Sequence, residues 1–269
     1  MRDVFFLTCG TLRVPAAGFA PAWSLGRMDI PIVVAVAVRE SGDVALVDTG
    51  FGEAACESVA RVYGRFHSLY MSARARRGDA IVHQLERLGL PRARVRTIVA
   101  THLHLDHIGG AEDFPDAEVV CSDAELAAYR ARKSPGYIPR DLERSRVRAV
   151  ALAGAPTYGF PASLDLFGDG AITLLDARGH TQGRCAVALR GRDATYVHLG
   201  DAVYQAWEHG LSPAGPSRFA RITSWSKTEQ RKTYEHIRAC EADPRKPVLV
   251  PAHDMGTFER LPHAPSATA

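Results

Sequence analysis

Cysteine is sparse and scattered. Cys9, Cys56, Cys121, Cys185 and Cys240 are odd in number, and none forms a Cys-x-x-Cys pair. That argues against a disulfide framework and a thiolate zinc site, and it suits a reducing compartment. A strong charge of one sign is lacking too, since the formal net charge is +3. The densest basic cluster, Arg74, Arg76 and Arg77, reads as a solvated face, so no nucleic-acid partner is expected. Long apolar runs are also missing. The longest, Ile30 to Val38, has nine residues, far below the ~20 that span a bilayer. Met1–Gly10 holds one arginine and a four-residue apolar run, too little for a signal peptide. The expectation is a cytoplasmic protein without membrane contact. No Pro/Ser-rich linker divides the chain, so residues 1–269 are read as one domain. With 46% hydrophobic and 23% charged residues, a chain this long buries a core without structural metal, so any metal here would serve chemistry.

What is present begins with short β-branched runs. Val4–Leu7, Ile32–Val38, Val44–Val47, Val95–Ala100, Glu118–Cys121, Ala171–Leu175, Cys185–Leu189, Thr195–Leu199 and Val248–Val250 are read as strands. Ser41-Gly42-Asp43, Gly168-Asp169-Gly170 and Gly191-Arg192-Asp193 suit hairpin turns. Asp79 is placed as the cap of a helix through Leu88, stopped by Gly89 and Pro91. Ser122 with Glu125, and Ser226 with Glu229, read as capping boxes opening helices toward Arg130 and Glu241. The pattern suggests packed sheets covered by helices. Phe51–Gly78, Lys133–Pro161 and Val203–Ser226 find no clear place in such a core, and loops this long tend to be functional. In the first, Val59, Val62, Tyr63, Phe66, Leu69 and Tyr70 recur at helical spacing, as a core-facing helix or a lid or substrate wall would.

The string Thr101-His102-Leu103-His104-Leu105-Asp106-His107-Ile108-Gly109-Gly110 carries the chemistry. Four ligand-type side chains fall within six residues, directly after the Val95–Ala100 run. His102 and His104, two apart in extended backbone, point the same way and can chelate one ion. Asp106 and His107, past the bend, can reach a second. Imidazole and carboxylate without thiolate suit zinc, manganese, iron or cobalt. At these residue frequencies, chance produces H-x-H-x-D-H about once in a thousand such chains. Further donors follow other strands: His180 in Gly179-His180-Thr181-Gln182-Gly183, Asp201 after Gly200, and His253 before Asp254. Their shared place just beyond strand ends argues for one site. His198, inside a strand, reads as a hydrogen-bonded core histidine. His67, His83, His209, His236 and His263 follow no ligand pattern, and Asp254 either orients His253 or caps a turn.

These motifs, with Val47-Asp48-Thr49-Gly50, resemble the metallo-β-lactamase superfamily, in order from about Val33 to Asp254. The resemblance implies an α/β fold, an αββα sandwich with two divalent metal ions, zinc first among the candidates, along one edge. It assigns His102, His104 and His180 to one ion, Asp106, His107 and His253 to the other, and Asp201 as the bridge. Asp48 would support the ligand loop without binding metal. Within the superfamily the chain most resembles the N-acyl-homoserine lactone lactonases, which share the T/S-H-L-H-x-D-H-x-G-G form and a tyrosine three residues after the bridging aspartate. Here that is Tyr204. The chemistry implied is lactone opening by a hydroxide held between two metals. Asp106 would pass a proton to the leaving group, and Tyr204 would hydrogen-bond the oxyanion. Other ester, thioester or organophosphate hydrolysis on the same site, or a mononuclear-iron persulfide dioxygenase, are the alternatives. The expected partner is a small lactone or ester, and a homodimer is the candidate assembly.

Overall fold

A computed structural model describes residues 3–20, 24–208 and 216–265. Chain order sets out β1 (Asp3–Pro15), α1 (Ala16–Phe19), β2 (Arg27–Val38), β3 (Val44–Val47), α2 (Glu53–Glu57), α3 (Val59–Met71), β4 (Ala73–Arg74) and α4 (Ile81–Arg87). There follow β5 (Val95–Val99), α5 (Leu105–Ile108), β6 (Glu118–Ser122), α6 (Asp123–Arg130), β7 (Arg146–Val150), β8 (Ser163–Asp165) and β9 (Ile172–Asp176). The last part holds β10 (Cys185–Arg190), β11 (Thr195–Gly200), α7 (Arg218–Thr223), α8 (Lys227–Glu241), β12 (Val248–Pro251) and α9 (Met255–Phe258). The strands form a seven-stranded sheet, β4-β1-β2-β3-β5-β6-β7, and a five-stranded sheet, β12-β11-β10-β9-β8.

Side-chain alternation decides the layering. Along β1, Phe6 points between the sheets with Val33, Val47, Leu174 and Val187, while Phe5 points the other way, toward Ile81, Leu85 and Leu126. The outer face of the second sheet packs Val197 and Leu199 against Tyr234 and Ile237 of α8. Strands buried on both faces read as unbroken apolar runs, which is why Ile32–Val38 shows no alternation. Each such side chain adds roughly 1.5–3 kcal/mol on full burial. The result is an αββα sandwich.

Pairing then fixes where strands end. β3, β5 and β6 are parallel. In the other sheet β9 and β11 both run antiparallel to β10, and β12 is parallel to β11. The loops leaving β3 and β5 can thus share one edge with those leaving β9, β11 and β12.

Several expectations need correction. Asp79 caps nothing downstream: its carboxylate accepts from the Arg76 N–H at 2.8 Å, and the helix begins after Ala80. Lys133–Pro161 contains an unexpected edge strand, β7, hidden because Arg146 and Arg148 interrupt its apolar pattern. In Phe51–Gly78, α3 buries Val59 and Tyr63 but leaves Phe66 70% and Leu69 78% exposed. The break is Gly64, whose φ of +84° kinks the helix and turns the remaining apolar positions out of the core. The Tyr70 side chain, His209 and residues 209–215 of the Val203–Ser226 segment lie outside the described residues.

Tyr63 is anchored by donating to Asp141 Oδ1 at 3.0 Å, while Asp141 Oδ2 has no hydrogen-bond partner among the described residues. Burial pushes the Asp141 carboxyl up to about 7. It holds its proton more tightly folded than unfolded, so its contribution to stability declines as pH rises from the ordinary ~3.9 toward that value. Asp141→Asn keeps the acceptor and cannot ionise. Its melting temperature relative to wild type should therefore rise by several degrees between pH 5 and pH 8. An unchanged difference across that range would show that Asp141 does not titrate there.

Candidate metal centre

His102 and His104 follow β5, Asp106 and His107 lie in the single turn of α5, His180 follows β9, Asp201 follows β11, and His253 follows β12. All are largely buried except the more open His104. Three overlapping groups each gather ligand atoms within 4.8 Å: His102, His104 and His180; His102, His107 and Asp201; and Asp106, His107 and His253.

Each ring is held by the nitrogen facing away from the centre. His107 Nδ1 donates to Asp48 Oδ2 at 2.8 Å, and His253 Nδ1 to the Pro31 carbonyl at 2.7 Å. His102 Nδ1 meets Thr101 Oγ1 at 3.2 Å, while the Thr101 hydroxyl donates to Asp48 Oδ2 at 2.8 Å. His104 Nε2 meets Ser134 Oγ at 2.7 Å, and His180 Nδ1 meets the Tyr204 hydroxyl at 3.3 Å. With those outward nitrogens donating, the inward ones of His102, His104 and His180 carry lone pairs, and those of His107 and His253 do so once their protons are displaced. The inward nitrogens nevertheless crowd together. His104 Nδ1 lies 3.1 Å from both His102 Nε2 and His180 Nε2.

Asp201 stands between the halves. Its Oδ1 lies 3.1 Å from His107 Nε2 and 3.1 Å from His253 Nε2. Its Oδ2 faces His180 Nε2 at 3.5 Å and His102 Nε2 at 4.0 Å. Asp106 Oδ2 sits 3.8 Å from His107 Nε2 and 3.9 Å from His253 Nε2. Buried His107 Nε2 and Asp201 Oδ1 face each other at 3.1 Å without a well-directed hydrogen bond to any of the described residues. Converging lone pairs beside a shared carboxylate are costly to bury alone and natural around cations. The donor set fits two divalent ions without thiolate.

The electrostatics follow from the same geometry. Burial and the neighbouring imidazoles hold His102 well below the usual histidine range, and burial takes His104 down to about 4 and His180 to about 3. Burial also opposes charge on His107, but Asp201, Asp48 and Asp106 outweigh it and hold its pKa well above the usual range. Asp201, despite burial, is held well below the carboxylate range by His107 and His253. The rings of the first half are thus neutral donors at pH 7.

Other features bind the edge together. The fully buried Arg184 guanidinium donates to Leu199 O at 2.7 Å and to Ala177 O, tying the strand ends before Asp201 and His180. Asp254 caps α9 through the Thr257 N–H at 2.6 Å, which decides its role as a cap. His198 is a buried core residue whose Nε2 meets Val33 O at 3.1 Å. Ser134 could not be singled out beforehand, because its contact with His104 depends on a loop thirty residues away. Thr101 stood beside the motif, and only the fold shows it linking His102 to Asp48.

A family model described as the metallo-beta-lactamase superfamily matches residues 29–253. The chain belongs to this superfamily. A probable metallo-hydrolase of Mycobacterium tuberculosis is 33% identical over 215 residues, covering 75% of this chain and 62% of that protein. The match thus spans less than two thirds of that relative's length. An N-acyl homoserine lactonase of Agrobacterium fabrum is 28% identical over 192 residues, 68% of this chain and 67% of its own. Among solved structures, an N-acyl homoserine lactone hydrolase with N-hexanoyl-L-homoserine at its catalytic metal center superposes with a TM-score of 0.75. That match covers 96% of this chain and 95% of the other at 17% identity, and it shows the metallo-β-lactamase fold. Among the described residues, no helix of this superfamily member is long and apolar enough to cross a membrane.

Proposed function

We propose that residues 1–269 work as one metal-dependent hydrolase domain that opens a lactone ring, with a dinuclear centre, most simply of zinc. His102, His104 and His180 would hold one ion, Asp106, His107 and His253 the other, and Asp201 both. The observation that carries this reading is Asp201 itself, with Oδ1 turned to one set of histidines and Oδ2 to the other. Bound, two such cations supply a hydroxide at neutral pH and polarise the substrate carbonyl. The lactonase named among the relatives supports a lactone as substrate.

The chain's own residues supply orientation and proton transfer. Asp48 and Pro31 O fix the His107 and His253 rings with Nε2 directed inward. Asp106, 8% exposed, would take a proton from the nucleophile and deliver it to the ring alkoxide. Burial and the Asp201 charge hold the Tyr204 phenol well above its ordinary pKa, so it stays protonated. Its oxygen meets His180 Nδ1 at 3.3 Å, and among the described residues its proton has only Thr223 Oγ1 at 3.4 Å. A partner that distant leaves the proton available to a developing oxyanion. Tyr204→Phe should cost roughly tenfold in kcat with KM little changed and both metals retained. A wild-type kcat would reduce Tyr204 to a support for His180.

The reading is tested by screening N-acyl lactones, thioesters and phosphotriesters on protein of measured metal content. Lactones are expected to be the fastest substrates. Turnover of thioesters or phosphotriesters alone would overturn the substrate class. Oxygen-dependent persulfide oxidation with one iron per chain would overturn the reaction class.

A further inference from the structure

Glu125 reaches none of the candidate ligands, yet it joins the turns that carry three of them. It is fully buried in the first turn of α6 and accepts four hydrogen bonds. Its Oε1 receives the Leu103 N–H at 2.9 Å and the Tyr137 hydroxyl at 2.9 Å. Its Oε2 receives the Thr181 hydroxyl at 2.6 Å and the Gly183 N–H at 3.2 Å. Leu103 lies between His102 and His104, and Thr181 follows His180. One carboxylate therefore ties the turn carrying His102 and His104 to the turn carrying His180.

The approach is close. A Cβ on Gly183 would stand 1.9 Å from Glu125 N, so the last glycine of Gly179-His180-Thr181-Gln182-Gly183 is needed for α6 to dock. Ser122 Oγ caps the helix by accepting from Glu125 N at 3.0 Å and donates to Gly183 O at 2.5 Å. The expected capping box is therefore only half made, because the Glu125 side chain turns to the metal-ligand turns instead. Tyr137, a Glu125 donor, also lays its ring against His104, with centroids 5.1 Å apart. Asp48 does the corresponding work on the other side, where it accepts from Thr101 N, the Thr101 hydroxyl and His107 Nδ1, each at 2.8 Å.

We propose that Glu125 is a positioning residue for the His102–His104–His180 half of the centre: by accepting from both turns it sets their separation, and so sets how tightly that half holds its cation. The inference rests on the dinuclear reading above. It requires a carboxylate, because each oxygen receives a backbone N–H that cannot accept, from Leu103 at Oε1 and from Gly183 at Oε2. Glutamine has the same shape, but its amide nitrogen would present hydrogens to one of those backbone N–H groups, leave it unpaired and loosen that turn.

Zinc affinity of the two sites, measured by competition with a chromophoric chelator, separates this from a general packing role. In E125Q one zinc should be released about 10- to 100-fold more readily while the other keeps its affinity. The cobalt-substituted protein should show altered d–d absorption for one equivalent only, and the metal-free protein should melt within a few degrees of wild type. Thr181→Val, which removes one donor of the four, should loosen the same site several-fold and serves if E125Q does not fold. Unchanged affinities, or equal loosening of both sites, would overturn the inference. Wild-type protein with two tight sites alongside an unaltered E125Q would remove this inference alone. Wild-type protein without two sites would remove the dinuclear reading with it.

Discussion

Asp201→Asn is expected to lose at least one cation and more than ~10³-fold in kcat. The magnitude follows from the shift that coordination makes in the pKa of water, from about 15.7 toward 7, which a broken centre forfeits. The substitution changes one oxygen to an amide and preserves packing at a residue that is 5% exposed. What it removes is the negative charge facing His107, His253, His180 and His102. The His107 and His253 pKa values, now held up against burial chiefly by Asp201, should fall in the metal-free protein. Metal content by mass spectrometry, with steady-state rates on the same preparation, checks the first claim, and histidine titration by NMR checks the second. Two retained cations and near-normal turnover would show that Asp201 bridges nothing.

Asp106→Asn carries the second large effect. Asp106 sits beside both His107 Nε2 and His253 Nε2 and is the candidate that would both hold an ion and move a proton. Asparagine keeps a ligating oxygen and cannot accept the proton, so general acid–base transfer should be lost, a contribution of about 10²–10⁴. The loss is expected in kcat, with a smaller change in metal content than Asp201→Asn produces. Equal rates for Asp106→Asn and wild type would move the proton transfer to another group.

The contrast between these residues and Glu125 shows what a sequence discloses. Metal chemistry restricts residue type, so His102, His104, Asp106 and His107 stand out within six positions, and strand ends place His180, Asp201 and His253 near them. Support contacts follow no such restriction. Pro31 holds His253 through a carbonyl 222 residues away, which any residue could supply. Glu125 was visible only as a helix-capping glutamate, because its four donors converge only once α6 has docked. The same holds for the fold. Apolar runs buried on both faces, such as Ile32–Val38, announced themselves. The outer half of β1 did not, since a register shift between Thr8 and Thr11 breaks its alternation. Edge strand β7 carries arginines where an inner strand would carry valine, a pattern that guards an edge and conceals the strand.

In the proposed reading this edge of the sandwich holds two cations, and lactone opening depends on both. The most direct measurement counts metal per chain while activity is followed through chelation and stepwise reconstitution with zinc. Two equivalents are expected in the active protein, with loss of lactone opening on their removal and full recovery only when the second equivalent is restored. Full activity in metal-free protein, or complete recovery at one equivalent, would contradict it.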